Sequence, residues 1–295
     1  MAHVPVLFDE VMEWLAPKPG DVIVDGTLGG GGHAEEILKR ILPGGILIGM
    51  DRDPGAIERV SGKLERYSEN MELFNCDFKE IGEALNAAGH RNVNGVLLDL
   101  GVSSFQIDEA ERGFSYMSDG PLDMRFDQTF GTTAYEVVNK FSQHKLEEII
   151  DTYGEERYAK SIAKNICLAR AGKRIFTTKE LSEVIIKAVG SKYREQRIHP
   201  ATRTFQAIRI YVNDELVSLD NGIQKNIEYL FAEGRICVIS FQSLEDRIVK
   251  NIFKENEKNG KLRILTKKPI VPGVPEVARN PRARSAKLRA AAKAQ

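Results

Sequence analysis

Residues 22–38 read VIVDGTLGGGGHAEEIL, and the four consecutive glycines narrow what the chain can fold into. A glycine run is entropically costly to order. This one lies between a short β-branched run (21–25) and a helical pattern (33–41) in which Ile37, Leu38 and Ile41 share a face. A turn at 43–45 and a second apolar run at 46–50 follow, ending in DRDP and a further helical pattern. Residues 72–75 and 94–99 read as a third and a fourth strand. Strands separated by helices predict βαβ units and a doubly wound α/β fold, its parallel sheet covered on both faces. A glycine loop between the first strand and first helix of such a sheet holds a ligand at the helix N-terminus.

The rhythm breaks after the fourth strand. Residues 106–131 are rich in Gly, Asp, Arg and aromatics and have no period, and 132–190 are helical only. Thr133 with Glu136 and Thr177 with Glu180 are capping boxes, each opening an amphipathic run. A helical block of this size inside an α/β chain predicts an inserted all-helical domain. The α/β pattern resumes after Pro200 with a long helical run (205–219), a buried strand (234–241) and one more strand (261–266). Residues 269–281 hold four prolines and are expected to be extended; 290–295 are expected to fray. The expected division is a core of 1–107 and 199–278, a helical substrate-recognition insert at 108–198, and a basic tail at 279–295.

Apolar stretches such as 95–98 and 236–241 fall far short of the ~20 residues that span a bilayer. The start, MAHVPVLFDEV, lacks the basic and apolar regions of a signal peptide. Cys76, Cys167 and Cys237 follow no C-x-x-C spacing, so free thiols and a cytoplasmic location are expected. The five histidines do not cluster with cysteines or carboxylates, so no metal site is expected. Net charge is zero, but residues 261–295 carry ten Lys/Arg and one acid, Glu276, a local +9 offset by −9 elsewhere. Such a basic end suggests contact with an anionic partner, or a solvated tail.

Three ligand classes compete for the glycine loop. A P-loop needs Lys and Ser/Thr after its last glycine, where this chain has His33. A dinucleotide fold wants G-x-G-x-x-G/A, which Gly29, Gly31 and Ala34 satisfy. S-adenosylmethionine (AdoMet) brings its amino-acid end to the loop. An acid at the strand end meets that ammonium, whereas it would repel a pyrophosphate. Asp25 is such an acid and favours AdoMet. Asp51, ending the second strand, suits the ribose hydroxyls of either cofactor. Phe78, just past the third strand, either covers an adenine face or packs in the core.

Further motifs follow in order. DLGVSS (99–104) with Gln106 is succeeded by RGFS (112–115), GPLDMR (120–125), YGEE (153–156) and HPATRTFQAIR (199–209). Then come Val212-Asn213 with Glu215-Leu216, SLEDRIVK (243–250) and NPRARSAKLR (280–289). With HVPVL (3–7) and the glycine loop, this set closely resembles the bacterial ribosomal RNA cytosine-N4 methyltransferases of the RsmH (MraW) type, from His3 to Arg289.

The resemblance implies a class I AdoMet-dependent methyltransferase fold, Rossmann-like, with an inserted helical domain. It implies AdoMet as donor and, as acceptor, N4 of a decoding-centre cytosine in 16S rRNA of the 30S subunit. Carried over by position, the cofactor contacts are Gly31, Gly32, His33, Asp51, Phe78, Asp99 and Gln106. Phe105, Phe126 and Gln242 depart from the family pattern, and Gln242 stands where histidine is expected, which weakens a histidine base there. The Asn/Asp/Ser-Pro-Pro-aromatic motif of many amino-methyltransferases is absent, so Asp99 or Ser103 is expected to orient the amine. Extruding a base from folded RNA requires cationic and polar contacts. Arg197, His199, Arg203 and Arg209 are candidates to line such a surface, unless Arg203 or Arg209 braces the domain junction. Arg112, Asp123 and Arg125 form either a base pocket or lid, or a structured loop with internal salt bridges. A monomer or homodimer without membrane contact is expected. An NAD-dependent oxidoreductase and a non-catalytic ribosome assembly factor stay open as alternatives.

Overall fold

The structure, a computed structural model, describes residues 5–193 and 198–295, with backbone only at 191 and 192. His3 and Arg197 lie outside the described residues. The chain divides into two compact units, Met1–Gly101 with Leu216–Gln295, and Val102–Glu215.

The first unit opens with α1 (Phe8–Leu15) and then alternates β1 (Val22–Asp25), α2 (Gly32–Ile41), β2 (Ile46–Asp51), α3 (Pro54–Lys63), β3 (Met71–Asn75), α4 (Ile81–Ala87) and β4 (Val93–Asp99). The second unit holds α5 (Ser104–Asp108), α6 (Ala134–Lys140), α7 (Gln143–Gly154), α8 (Ala159–Gly172), α9 (Thr178–Val189) and α10 (Thr202–Val212). The chain returns through α11 (Glu215–Glu228), β5 (Leu230–Ser240), α12 (Ser243–Lys258), β6 (Leu262–Ile264), α13 (Val274–Arg279) and β7 (Lys287–Lys293).

Among the described residues the strands form one seven-stranded sheet in the order β3-β2-β1-β4-β5-β7-β6. β1 to β5 are parallel, and β7 runs antiparallel between β5 and β6. This is the Rossmann-like sheet of a class I methyltransferase. Its order reverses between β1 and β4, and a sheet of this kind binds ligands outside the carboxyl ends at such a switch point. Two apolar clusters cover its faces, one around Ile48, Val96 and Val238, the other around Ile23, Leu47 and Leu97.

The second unit has its own core, including Leu146, Ile150, Ile162, Leu181, Phe205 and Ile208. Thr133 and Thr177 cap α6 and α9 through complete capping boxes with Glu136 and Glu180.

Expectations need correction in two parts of the chain. The helical block begins at 102 rather than 108 and runs to 215 rather than 198. The expected helix 205–219 is two helices, parted at Asn213-Asp214 where Asp214 has φ +49°. Phe205, Ala207 and Ile208 of α10 pack in the helical core, so α10 belongs there. The second correction concerns 279–295, which is no tail. Residues 287–293 pair with β5 from Arg235↔Ala292 to Ser240↔Lys287. Arg289 Nε donates to Asp246 at 2.7 Å and Lys287 Nζ at 3.2 Å, anchoring the strand to α12. The proline-rich stretch is not fully extended either, since α13 forms within it.

Candidate functional site

Three carboxylates stand at the carboxyl ends of β1, β2 and β4. Asp25 is 1% exposed, and its Oδ1 accepts from the Thr27 amide at 3.1 Å. Asp51 accepts from Asp53 N on Oδ1 (2.8 Å) and from Gly29 N on Oδ2 (2.9 Å), which fastens the glycine loop to β2. The Asp99 amide donates to Thr27 Oγ1 at 2.6 Å, tying β4 to β1. Burial raises all three acids. It holds Asp25 at about 7, with the Asp51 charge adding to the effect, and Asp51 at about 6 despite its two amide donors. Asp99 is highest, at about 8, from burial and then the charges of Asp25 and Glu245. Asp99 Oδ1 is buried and, among the described residues, accepts no hydrogen bond. A buried carboxylate oxygen without a donor is costly, so this strand end suits a cationic donor.

The glycine loop is shaped first by the protein's own packing. Gly31, at φ +68°, caps α2 in the left-handed region, and a Cβ there would lie 2.9 Å from a Val60 methyl. A Cβ on Gly32 would lie 2.3 Å from Pro5 Cγ. His33 is 6% exposed, and its Nε2 lies 3.1 Å from the Val6 carbonyl. A carbonyl only accepts, so Nε2 carries the hydrogen. That choice leaves Nδ1 facing Asp99 Oδ2 at 3.8 Å. The ring also stacks on Phe8 with centroids 6.1 Å apart. Phe78 is 9% exposed and packs so closely on Gly222 of α11 that a Cβ there would lie 2.3 Å from its ring.

The structure thus gathers Asp25, Gly31, Gly32, His33, Asp51 and Asp99 at one edge of the sheet. Thr27, Pro5, Val6 and Glu245 belong to the same edge and were missed by the sequence reading. A strand-end acid two residues before a hydroxyl, as in Asp25-Gly-Thr27, is the signal that would have found Thr27.

Ser103 and Gln106 belong to the helical unit and satisfy each other. Ser103 Oγ accepts from Gln106 N at 3.2 Å, and Gln106 Oε1 accepts from Ser103 N at 2.9 Å. The residues expected to contact RNA are mostly committed inside that unit. Arg112 is 8% exposed and donates to the carbonyls of Arg125 and Phe126. Arg125 and Asp123 form a two-pronged pair at 2.8 Å on both prongs. Arg209 grips Glu215 at 2.7 and 2.9 Å, and Arg203 donates to the Glu155 carbonyl at 2.9 Å. His199 stacks on Tyr116 with centroids 4.5 Å apart. Gln242, in the expected histidine position, caps α12 and donates to Glu245 at 2.7 Å. Among the described residues no His, Cys, Asp and Glu group could hold a metal, and no helix is long and apolar enough to cross a membrane.

The model of the MraW methylase family matches residues 1–294. The chain belongs to the MraW methylase family. It is 49% identical over 306 residues to the ribosomal RNA small subunit methyltransferase H of Trichlorobacter lovleyi, covering 99% of this chain and 98% of that protein. It is 47% identical over 306 residues to the protein of the same name in Clostridioides difficile, with 99% and 98% covered. Among solved structures, a putative rRNA methylase from Clostridium thermocellum superposes with a TM-score of 0.47 at 11% identity, covering 99% of this chain and 100% of that one. A likeness that loose carries no weight for function. Membership in the methylase family sets aside the dinucleotide reading of Gly29, Gly31 and Ala34, and AdoMet is the cofactor of this methylase.

Proposed function

We propose that this methylase transfers a methyl group from AdoMet to small-subunit rRNA in the cytoplasm, and that the acceptor is N4 of a decoding-centre cytosine in 16S rRNA. One observation carries the cofactor half of the reading: the buried, unpartnered Oδ1 of Asp99 at the β1/β4 switch point. The relatives' names, over 98% of their length, support the rRNA half.

The donor set fits the cofactor. Asp99 receives its ammonium; Asp25, expected in that role, is 1% exposed and committed to Thr27, so it acts through its charge, which Asp99 also feels. Asp51 has one lone pair left on each oxygen after its two amide bonds, enough for two ribose hydroxyls. The N-terminus of α2, which opens at Gly32 and His33, suits the carboxylate end through the helix dipole. Phe78 remains a cofactor contact on the family pattern. Bound there, AdoMet supplies an electrophilic methyl.

The cytosine amine is a poor nucleophile because its lone pair is delocalised into the ring. The chain's task is therefore alignment, an effect worth up to ~7–11 kcal/mol in favourable cases. Asp99 Oδ1 is buried and, among the described residues, accepts no hydrogen bond, so Asp99 is the group we assign to orient the amine, with Ser103 Oγ, which keeps a second lone pair, as the alternative. Val6 fixes the tautomer of His33, whose Nδ1 lies 3.8 Å from Asp99 Oδ2.

The test is methyl transfer from labelled AdoMet to naked 16S rRNA, 30S and 70S particles, with the modified nucleoside mapped by mass. Label on N4 of one cytosine supports the full reading. Label elsewhere in 16S rRNA keeps only the coarser half. Binding to 30S with no label on any substrate would mean a non-catalytic assembly factor.

A further inference from the structure

The basic segment 261–295 is not spread evenly over the first unit. Part of its charge is used internally: Lys287 and Arg289 pair with Asp246, and Arg263 pairs with Glu233. Lys267, Lys268, Arg279 and Arg284 are exposed, and no carboxylate among the described residues pairs with them.

Topology carries all four toward one end of the sheet. β6 runs parallel to β5, and the chain climbs from it past Thr266, which bonds Ala290, to Ile270, which bridges Leu288. Leu288 pairs with Ile239, one residue from the carboxyl end of β5. Lys267 and Lys268 lie on that climb. Residues 271–286 therefore leave the sheet and return to it at the carboxyl edge, carrying Arg279 and Arg284. The segment is held down there. Glu276 accepts from the Leu7 amide at 2.7 Å, and Ala283 and Ala286 are buried in one cluster with Val6, Leu7 and Leu28. Val6 is the residue whose carbonyl meets His33. These cations, of which Arg279 donates Nε to the Pro275 carbonyl at 3.3 Å, are thus carried toward the end of the sheet at which Asp99 closes β4.

We infer that Lys267, Lys268, Arg279 and Arg284 form a phosphate-binding rim that grips the RNA strand beside the cofactor cradle. The inference rests on the reading of RNA as substrate. Fixed cations at a defined edge bind phosphates without reading sequence. The stretch that carries Arg279 and Arg284 is anchored by buried Ala283 and Ala286 and by the Glu276 side chain, and the one that carries Lys267 and Lys268 by the Thr266 and Ile270 bonds to β7, so little ordering entropy opposes the contact.

The experiment measures the salt dependence of binding to a 16S rRNA transcript. It compares the full chain, a rim variant (Lys267→Gln, Lys268→Gln, Arg279→Gln, Arg284→Gln) and a control variant (Lys18→Gln, Arg91→Gln, Lys258→Gln). The control cations are also exposed but lie before β1, before β4 and at the end of α12, which is the opposite edge of the sheet. Each phosphate contact to single-stranded RNA adds ~0.7 to the slope of log K against log salt. The rim variant is expected to lose ~2–3 from that slope, with S-adenosylhomocysteine affinity unchanged as the check on folding. The control variant is expected to keep the slope. A rim variant with the parent slope, or equal loss in both variants, overturns the rim. So does a rim variant that keeps its RNA slope and loses only binding to phosphatidylglycerol vesicles. The slope is read from binding alone, so it stands or falls separately from whether the full chain transfers methyl.

Discussion

Asp99→Asn keeps the shape of the β4 end and removes one negative charge. In the ligand-free protein the Asp99 carboxyl is held at about 8, by burial first and then by the charges of Asp25 and Glu245. At pH 7 it is therefore mostly protonated. An ammonium ligand needs the carboxylate, so its binding expels a proton. The sign follows: the acid's pKa is high when free and lower when occupied, so affinity rises with pH up to about 8 and levels off above it. One expelled proton means about a tenfold change in Kd per pH unit below that point. Above it, a hydrogen bond to a charged group contributes ~1.5–3 kcal/mol, or ~10- to 150-fold in affinity. The variant is accordingly expected to bind S-adenosylhomocysteine ~10- to 150-fold more weakly at pH 8.5 and to lose most of the pH slope between 7 and 8. Below about 7 a residual slope belongs to Asp25. Calorimetry in two buffers of different ionisation enthalpy gives both Kd and the proton count. Parent-like affinity in the variant, or a flat Kd across this window in the parent, refutes the assignment of the ammonium to Asp99. At saturating AdoMet, a parent-like kcat in the variant would confine Asp99 to the cofactor and remove it from the amine.

Gly32→Ala places a Cβ 2.3 Å from Pro5 Cγ and is expected to cost ~1–3 kcal/mol by overpacking, read as a lower Tm; an unchanged Tm would show that the 5–7 segment yields freely. Deleting residues 286–295 removes β7 from between β5 and β6, so no folded protein is expected, and a soluble product that binds S-adenosylhomocysteine would contradict the sheet order. Asp246 sits below its usual carboxylate value because Arg289 and then Lys287 bond to it, despite burial pushing the other way. Its contribution is present above the ordinary carboxylate range and lost as pH falls through the lowered value. Asp246→Asn should therefore cost ~1–3 kcal/mol in urea melts at pH 7, and the gap to the parent should narrow in acid. Arg112→Ala removes the donor to the Arg125 and Phe126 carbonyls and should lower Tm; a variant with parent-like Tm and weakened RNA binding would restore Arg112 as an RNA contact.

The first half of the sheet is legible because its signals are local. Asp25, Asp51 and Asp99 each close an apolar run just before a turn, so strand, strand end and acid can be read together from a few residues. β7 is not legible in that way. Its sequence, KLRAAAK, has little β-branched character and resembles a solvated basic tail. The strand is buried on both faces: Ala290 packs in one core cluster and Ala291 in the other. Small residues fit such a strand, and what makes it a strand is pairing with β5, some 50 residues away. The same holds for α10, whose amphipathic pattern is plain although the partner of its apolar face is not.

Motif residues mislead for a related reason. Arg112, Arg125, Arg203 and Arg209 are cations within ordered motifs, and that pattern fits RNA contact as well as it fits internal bracing. Only the positions of Glu215, Asp123 and the carbonyls of 125, 126 and 155 decide between the two. In sequence, Arg209 and Glu215 are six apart, a spacing that a continuous helix would not bring together; the break at Asn213-Asp214 does. Lys267, Lys268 and Arg279 lie outside those motifs and Arg284 within one, and all four sit in a segment whose lone acid, Glu276, is spent on the Leu7 amide. Arg263, Lys287 and Arg289 of the same segment reach Glu233 and Asp246 on other elements, so neither motif membership nor local charge imbalance marks an outward-facing cation by itself: what decides is whether an acid or a carbonyl from elsewhere in the fold comes within reach.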